Sequence, residues 1–235
     1  MRLLAIDTAS AQCSAALDLD GDVRLRAVAT PRDHAQLLLP MIEGPLAEAG
    51  IGFTALDAIA FGRGPGSFTG LRVAASVAQG LALGAGLPVV PVSDLRALAL
   101  HGADQALARR LAPAGAALRV AACLDARMSE IYAAAFEVDA SGLPGEAPER
   151  VCAPGDFRPD PACAVAVGPG FAAYGDALAP LLASALLVLA DVEPSAREIV
   201  RLGAVDLAAG KGCDASAALP VYLRDNVAQA ANRAS

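Results

Sequence analysis

The sequence predicts an α/β protein of two similar lobes, and three observations carry that reading. Through the first half, apolar runs of strand length alternate with helical stretches in the order βββαβαβα. An apolar run ends in an aspartate at Asp7 and again at Asp125. A short apolar run leads toward Gly64-Pro65-Gly66 and another into Gly168-Pro169-Gly170, so the order strand-Asp, strand, strand-Gly-Pro-Gly occurs twice.

The elements follow in order. Leu3 to Ile6 is apolar, and Cys13 to Leu19 and Val23 to Val28 flank Asp20-Gly21, a hairpin turn signal, so the chain opens as a three-stranded meander. From His34 the period changes to that of a helix, with Leu37, Leu38, Met41, Ile42 and Leu46 on one stripe and Gly50 and Gly52 as stops. Ala58 to Phe61 reads as a buried strand and Gly64 to Gly70 as a turn. Leu71 to Leu83 reads as a small-residue helix, Leu87 to Val92 as a strand, and Ser93 as the cap of a helix over Leu95 to Leu100.

His101 to Ala117, with a breaker at Pro113 to Gly115, reads as the passage to the second lobe, which divides the chain into residues 1–102 and 103–235. There Leu118 to Leu124 ends at Asp125, and Ile131 to Val138 and Ala164 to Val167 follow as strands. Ala177 to Ala190 reads as a buried helix and a strand, and Pro194 to Ala209 as a helix. Pro220 to Arg224 is a last ordered segment, expected to pack back on the first lobe before a polar tail.

Composition excludes several classes of function. With 55% hydrophobic and 18% charged residues the chain folds rather than staying disordered. A net charge of −7 repels phosphate backbones, which argues against a stand-alone nucleic-acid binder. Five cysteines without a C-x-x-C pair make neither a zinc ribbon nor a redox motif, and the odd number argues against a disulfide framework. The sequence enters a strand-like run at Leu3 with no charged leader and h-region visible, so no signal peptide is expected, and the stretch from Ala177 falls short of the roughly 18 to 20 residues that span a bilayer. The expectation is a cytoplasmic protein with no membrane contact.

Four groups of residues are candidates for chemistry. The Gly64 to Gly70 loop opens a helix and suits an anion, yet it lacks the Lys-Ser/Thr of a phosphate-binding P-loop; the other reading is a tight turn capped by Ser67 or Thr69. Asp7 and Asp125 could hold a metal or position water at a sheet edge, or serve as turn formers. His34 and His101 are too far apart for a histidine-built metal centre, and His34 reads as a capping or interface residue. The helix from Leu71 is small or apolar on most of its circumference, which fits either core on two sides or a partner face.

The segments Leu4-Ala5-Ile6-Asp7-Thr8-Ala9-Ser10, His34-Ala35-Gln36-Leu37-Leu38-Leu39-Pro40, Gly64-Pro65-Gly66-Ser67-Phe68-Thr69-Gly70-Leu71-Arg72, Asp125-Ala126-Arg127 with Glu130-Ile131-Tyr132, and Pro220-Val221-Tyr222-Leu223-Arg224 together resemble the bacterial TsaB family, also called YeaZ. The resemblance runs in order over nearly the whole chain, and its specific part is the string from Gly64 to Arg72. It implies an actin-like, sugar-kinase-like (ribonuclease H-like) fold of two duplicated lobes. It also implies a paralogue of TsaD, the subunit that attaches threonylcarbamoyl to adenosine 37 of tRNA. The implied role is a non-catalytic scaffold with no cofactor, acting with TsaD and the ATPase TsaE and meeting tRNA only through the complex.

The resemblance maps the TsaD contact onto the helices that carry His34, Leu37, Leu38, Met41 and Ile42, and Leu71, Ala74, Ala75 and Ala78. It leaves open a homodimer through the same helices. The alternative is a free-standing actin-fold phosphotransferase or glycoprotease-like hydrolase. That reading would use Asp7 or Asp125 and the Gly64 loop, with Asp7, Thr8, Gly64, Gly66, Ser67 and Thr69 as candidate cofactor contacts, although the strand ends at Asp7 and Asp125 lack the glycines that let a phosphate approach, so weak or no nucleotide binding is expected.

Overall fold

A computed structural model describes residues 1–30, 33–111, 117–160 and 162–224. The Pro113 to Gly115 breaker and the tail beyond Arg224 lie outside the described residues. The first sheet holds β1 (Arg2–Asp7), β2 (Gln12–Leu19), β3 (Asp22–Ala29), β4 (Ala58–Gly64) and β5 (Val89–Ser93), in the order β3-β2-β1-β4-β5. The second holds β6 (Leu118–Arg127), β7 (Glu130–Val138), β8 (Arg150–Cys152), β9 (Val165–Val167) and β10 (Leu187–Leu189), in the order β10-β9-β6-β7-β8. In both, the central strand pairs antiparallel with the next strand in sequence and parallel with the one after Gly-Pro-Gly is approached: β1 with β2 and β4, β6 with β7 and β9. The two sheets therefore share one topology, as the repeated sequence order predicts.

The helices are α1 (His34–Ala49), α2 (Phe68–Ala85), α3 (Asp94–Ala108), α4 (Gly170–Ala173), α5 (Ala179–Ser184) and α6 (Ala196–Ala208). Strand alternation sorts the core into layers. Leu4 and Ile6 join Ile59 and Phe61 under α1 and α2, while Leu3 and Ala5 join Ala58, Ala60 and Val90 under Ile199, Val200 and Leu202 of α6. In the second sheet Val120, Ala122 and Leu124 meet Leu98, Ala99 and Ala103 of α3, and Ala121 and Cys123 meet Phe171 and Leu178 on the outer side. Helix α3, which follows the first sheet in the chain, thus covers the second, and α6, near the chain's end, covers the first.

A glycine permits each of these crossings. A Cβ on Gly203 would lie 2.7 Å from Cβ of Ala60, and one on Gly102 would lie 3.1 to 3.3 Å from the methyls of Val165, Val167 and Val120. Gly102 was expected to lie past the helix end. Instead α3 runs from Asp94 to Ala108 rather than over Leu95 to Leu100, because packing on the second sheet outweighs the propensity cost of one glycine.

Three further boundaries differ. Helix α2 begins at Phe68 rather than Leu71, since Ser67 caps it by accepting a hydrogen bond from the Gly70 N–H at 3.4 Å. Strand β6 continues past Asp125 to Arg127 through a bulge. Helix α5 has six residues and none is fully buried, whereas a buried helix was expected; its short Ala-Pro-Leu-Leu-Ala-Ser run offers only Leu181 and Leu182 to the core, both half-buried at its edge.

Candidate functional site: the cleft between the lobes

A cleft of about 1040 Å³ opens where the two sheets face each other at the ends of their central strands. The first lobe contributes Ala9 to Ala11 after β1, the start of α1 at His34 and Ala35, and the Pro65 to Leu71 loop into α2. The second lobe contributes Leu124 to Met128 of the β6–β7 hairpin and Pro169, Ala172 and Ala173. Val221 to Arg224 lines it as a strap from one lobe to the other.

The first-lobe wall is pinned by short backbone contacts. Ser67 N donates to the Ala9 carbonyl at 2.7 Å and Thr8 Oγ1 donates to the Gly70 carbonyl at 2.7 Å. Side chains would be excluded here, because a Cβ on Gly66 would collide with the Ala9 carbonyl and one on Gly70 with the Thr8 carbonyl. Ser67 and Thr69 are exposed at the cleft. Ser67 takes the capping role that was one of its two readings.

Asp7 and Thr8 are fully buried and, with Gly64, lie beneath the loop rather than on the cleft wall. Asp7 does not join Asp125; its partner is Asp94 in the first turn of α3. Burial pushes the Asp7 carboxyl up to about 7, against the pull of hydrogen bonds from Ala9, Asp94 and Thr8. Burial, and then the Asp7 charge, raise Asp94 well above the usual carboxylate range. Sequence reasoning missed Asp94, because an aspartate one residue after a capping serine looks like an ordinary helix start.

Asp125 lines the cleft instead. It accepts hydrogen bonds from the Arg127 N–H at 2.8 Å and the Tyr174 hydroxyl at 3.0 Å, and it pairs with the Arg127 guanidinium at 3.1 Å. The hairpin that follows is strained: Arg127, Met128 and Ser129 all adopt the left-handed region, at φ 63°, 54° and 60°. Arg224 of the strap steadies this turn. Its guanidinium donates to the Ala126 carbonyl at 3.2 Å and pairs with Glu130. Upstream, Val221 N donates to the Arg63 carbonyl at 2.7 Å, Tyr222 stacks on Phe68 at 5.4 Å between centroids, and Arg72 donates to its hydroxyl at 3.2 Å.

His34 is half-buried at the start of α1, and burial lowers its pKa, which favours the neutral imidazole. Among the described residues, no group of three or more His, Cys, Asp or Glu side chains stands in an arrangement able to hold a metal ion. No helix among them is long and apolar enough to cross a membrane.

The α1 and α2 residues expected at a partner interface divide in two. Leu38, Ile42, Ala74, Ala75 and Ala78 are buried in the core of their own lobe, since helices lying on a sheet must turn their apolar stripe toward it, and Leu71 is buried at the cleft wall. Leu37 and Met41 are half-buried at the edge of that core. The outward faces carry Leu39, 45% exposed, and Leu83 at 80%, among small residues such as Ser76 and Gly80, while the half-exposed Phe68 belongs to the cleft rim.

Comparison with known proteins agrees with this architecture. The family model described as TsaD, tRNA N6-adenosine threonylcarbamoyltransferase, matches residues 28–232. The chain is 40% identical to the tRNA threonylcarbamoyladenosine biosynthesis protein TsaB of Escherichia coli (strain K12), covering 97% of this chain and 96% of that protein. It is 37% identical to the TsaB of Haemophilus influenzae, covering 97% and 95%. The solved structure of YeaZ from Pseudomonas aeruginosa superposes with a TM-score of 0.80 at 38% identity, covering 94% of this chain and 99% of that one. A duplicated two-lobe fold, a matching family model and relatives alike along almost their full length place this chain in the TsaB (YeaZ) family.

Proposed function

We propose that this chain is a non-catalytic scaffold subunit in the transfer of threonylcarbamoyl to adenosine 37 of tRNA, binding a TsaD-family catalytic subunit and acting with a TsaE-family ATPase. The observation that carries the reading is the outer face of α1 and α2, where Leu39 and Leu83 stand exposed on long helices whose own stripes are already satisfied. Exposed apolar side chains grouped on a helical face mark an interaction surface. The chemistry of the cleft supports a non-catalytic role: the candidate carboxylate Asp7 is turned under the loop against Asp94, and Asp125 is engaged by Tyr174 and Arg127. The net charge of −7 favours leaving tRNA contact to other subunits. A homodimer would use the same face and compete with the catalytic subunit for it.

Reconstituted tRNA threonylcarbamoylation with TsaD, TsaE and a threonylcarbamoyl-adenylate source tests the role. Omission of this chain is expected to collapse modification, while the chain alone modifies nothing. Unchanged modification on omission, or an ATPase activity of the isolated chain abolished by Asp7→Asn, would instead favour the free-standing enzyme. Met41→Asp and the more exposed Leu39→Asp test the face. Each is expected to weaken TsaD binding by more than about ten-fold, as loss of a buried interface anchor does. Wild-type affinity in both would place the interface elsewhere.

A further inference from the structure

Beneath the cleft wall lies an arrangement that the scaffold role does not use. Asp7 and Asp94 are both fully buried, and neither forms a salt bridge among the described residues. Each has one carboxyl oxygen anchored by backbone: Asp7 Oδ1 accepts from Ala9 N at 2.8 Å, and Asp94 Oδ2 accepts from Gly64 N at 2.6 Å. The other oxygens, Asp7 Oδ2 and Asp94 Oδ1, are buried and have no hydrogen-bond partner among the described residues. Gly62 makes the close approach feasible, since a Cβ there would lie 2.5 Å from Asp94 Oδ1 and 2.7 Å from Asp7 Oδ1.

Two carboxylates without a cation, both within 2.7 Å of the point a Gly62 Cβ would occupy, cannot both stay ionised in a dry interior. The charged and titratable groups around them do not supply the missing positive charge. Glu193 ahead of α6 and Glu149 ahead of β8 add negative charge, Cys13 on β2 is a thiol whose own ionisation Asp7 opposes, and Arg63 on β4 is engaged by Glu149 at 3.1 Å. A proton is the remaining counter-charge.

We infer that Asp7 and Asp94 share a proton in the folded chain, and that this shared proton fastens the cleft wall, making the hold on the Gly64 to Gly70 loop sensitive to pH. The anchoring oxygens give the device its reach. One carboxyl grips Ala9, whose carbonyl holds Ser67, and the other grips Gly64 at the loop's start. The proton belongs on Asp94, because Asp7 accepts backbone hydrogen bonds from both Ala9 and Thr8 and is the better anion of the two. In this chain the folded state keeps protons that the unfolded state has released above the ordinary carboxylate range, so the stabilisation is full in acid and is lost as pH rises through the folded values.

Thermal melts of the full chain from about pH 5 to about pH 9 test this independently of any partner. In Asp94→Asn the amide donates the same hydrogen bond to Asp7 and has no proton to lose. Its melting temperature is expected to rise relative to wild type as pH increases, by several degrees at the alkaline end, and Asp7→Asn should behave alike. The double variant sets two amide N–H groups against each other and should be less stable than either single variant. Slower amide exchange at Gly64 and Ala9 in Asp94→Asn than in wild type at high pH would show the fastening itself.

A gap between wild type and both single variants that stays constant with pH would overturn the proposal. So would a melting temperature raised by magnesium or manganese in wild type but in neither variant, which would put a metal cation where the proton is placed. Should a single variant fail to fold, infrared spectroscopy of wild type decides: a protonated carboxyl stretch at neutral pH supports the proposal, and its absence overturns it.

Discussion

The two lobes share a strand order but have been put to different use. The first lobe has flanking strands of eight, seven and five residues in β3, β4 and β5, with helices of sixteen and eighteen residues on its outer face. In the second, the equivalent strands β8, β9 and β10 have three residues each, and the outer helices have four and six. The Gly-Pro-Gly turns correspond, with Gly64 at φ 109° and Gly168 at φ 116°. The strand-end aspartates do not: Asp7 is sealed in an acid pair, whereas Asp125 faces the cleft. Duplication preserved the backbone that makes a cleft, while the side chains and outer helices diverged, which separates the fold from the chemistry built on it.

The sharpest way to break the comparison is at the glycine turns. Gly66→Ala drives a methyl into the Ala9 carbonyl and is expected to cost more than about 3 kcal/mol in denaturant unfolding, with its counterpart Gly170→Ala, aimed at Cys123 Sγ, of similar size. A cost below 1 kcal/mol in one lobe, by the same approximate measure, would show that its turn is not held as the other's is.

Next comes the difference in outer faces. Leu186 of the second lobe is 65% exposed, more than Leu39. If the first lobe alone carries the interface, Leu186→Asp should leave TsaD affinity within about two-fold of wild type while Leu39→Asp loses more than about ten-fold. Equal losses measured by calorimetry would dissolve the distinction.

A smaller effect is expected from the strap. Arg224→Ala removes the pair with Glu130 and the bond to Ala126, and should cost about 1.5 kcal/mol while speeding amide exchange through the strained turn at Arg127 to Ser129. Unaltered exchange there would mean the hairpin supports itself. The smallest concerns α2: Ser67→Ala should cost about 1 kcal/mol or less, the worth of one helix cap, read from urea midpoints.

Much of this was legible in the sequence because backbone demands leave local marks. Asp20-Gly21 marked the first hairpin, and the paired Gly-Pro-Gly strings announced the duplication, three of their glycines standing where a Cβ would strike a nearby carbonyl and Gly170 where it would strike Cys123 Sγ. What pairs across the chain left no such mark. Asp94 lies far from Asp7 in sequence, and nothing in Ser93-Asp94 distinguishes a helix start from a buried acid. The stripe on α1 and α2 was visible, but periodicity says that a helix has an apolar face and not which surface meets it; Leu38 and Ile42 turned out to meet their own sheet. The three-residue β8 carries too few side chains to show any period.

The crossing of α3 and α6 has a consequence for synthesis. As the chain leaves the ribosome, Leu3, Ala5, Ala58, Ala60 and Val90 form one side of the first sheet, yet their cover, Ala196 to Ala208, is made only after the whole second sheet. A nascent chain halted after α3 would present that apolar side uncovered, and its α3 would have no second sheet to rest on. Neither half is a finished folding unit, so synthesis must pass Ala208 before this side of the first sheet is shielded from water.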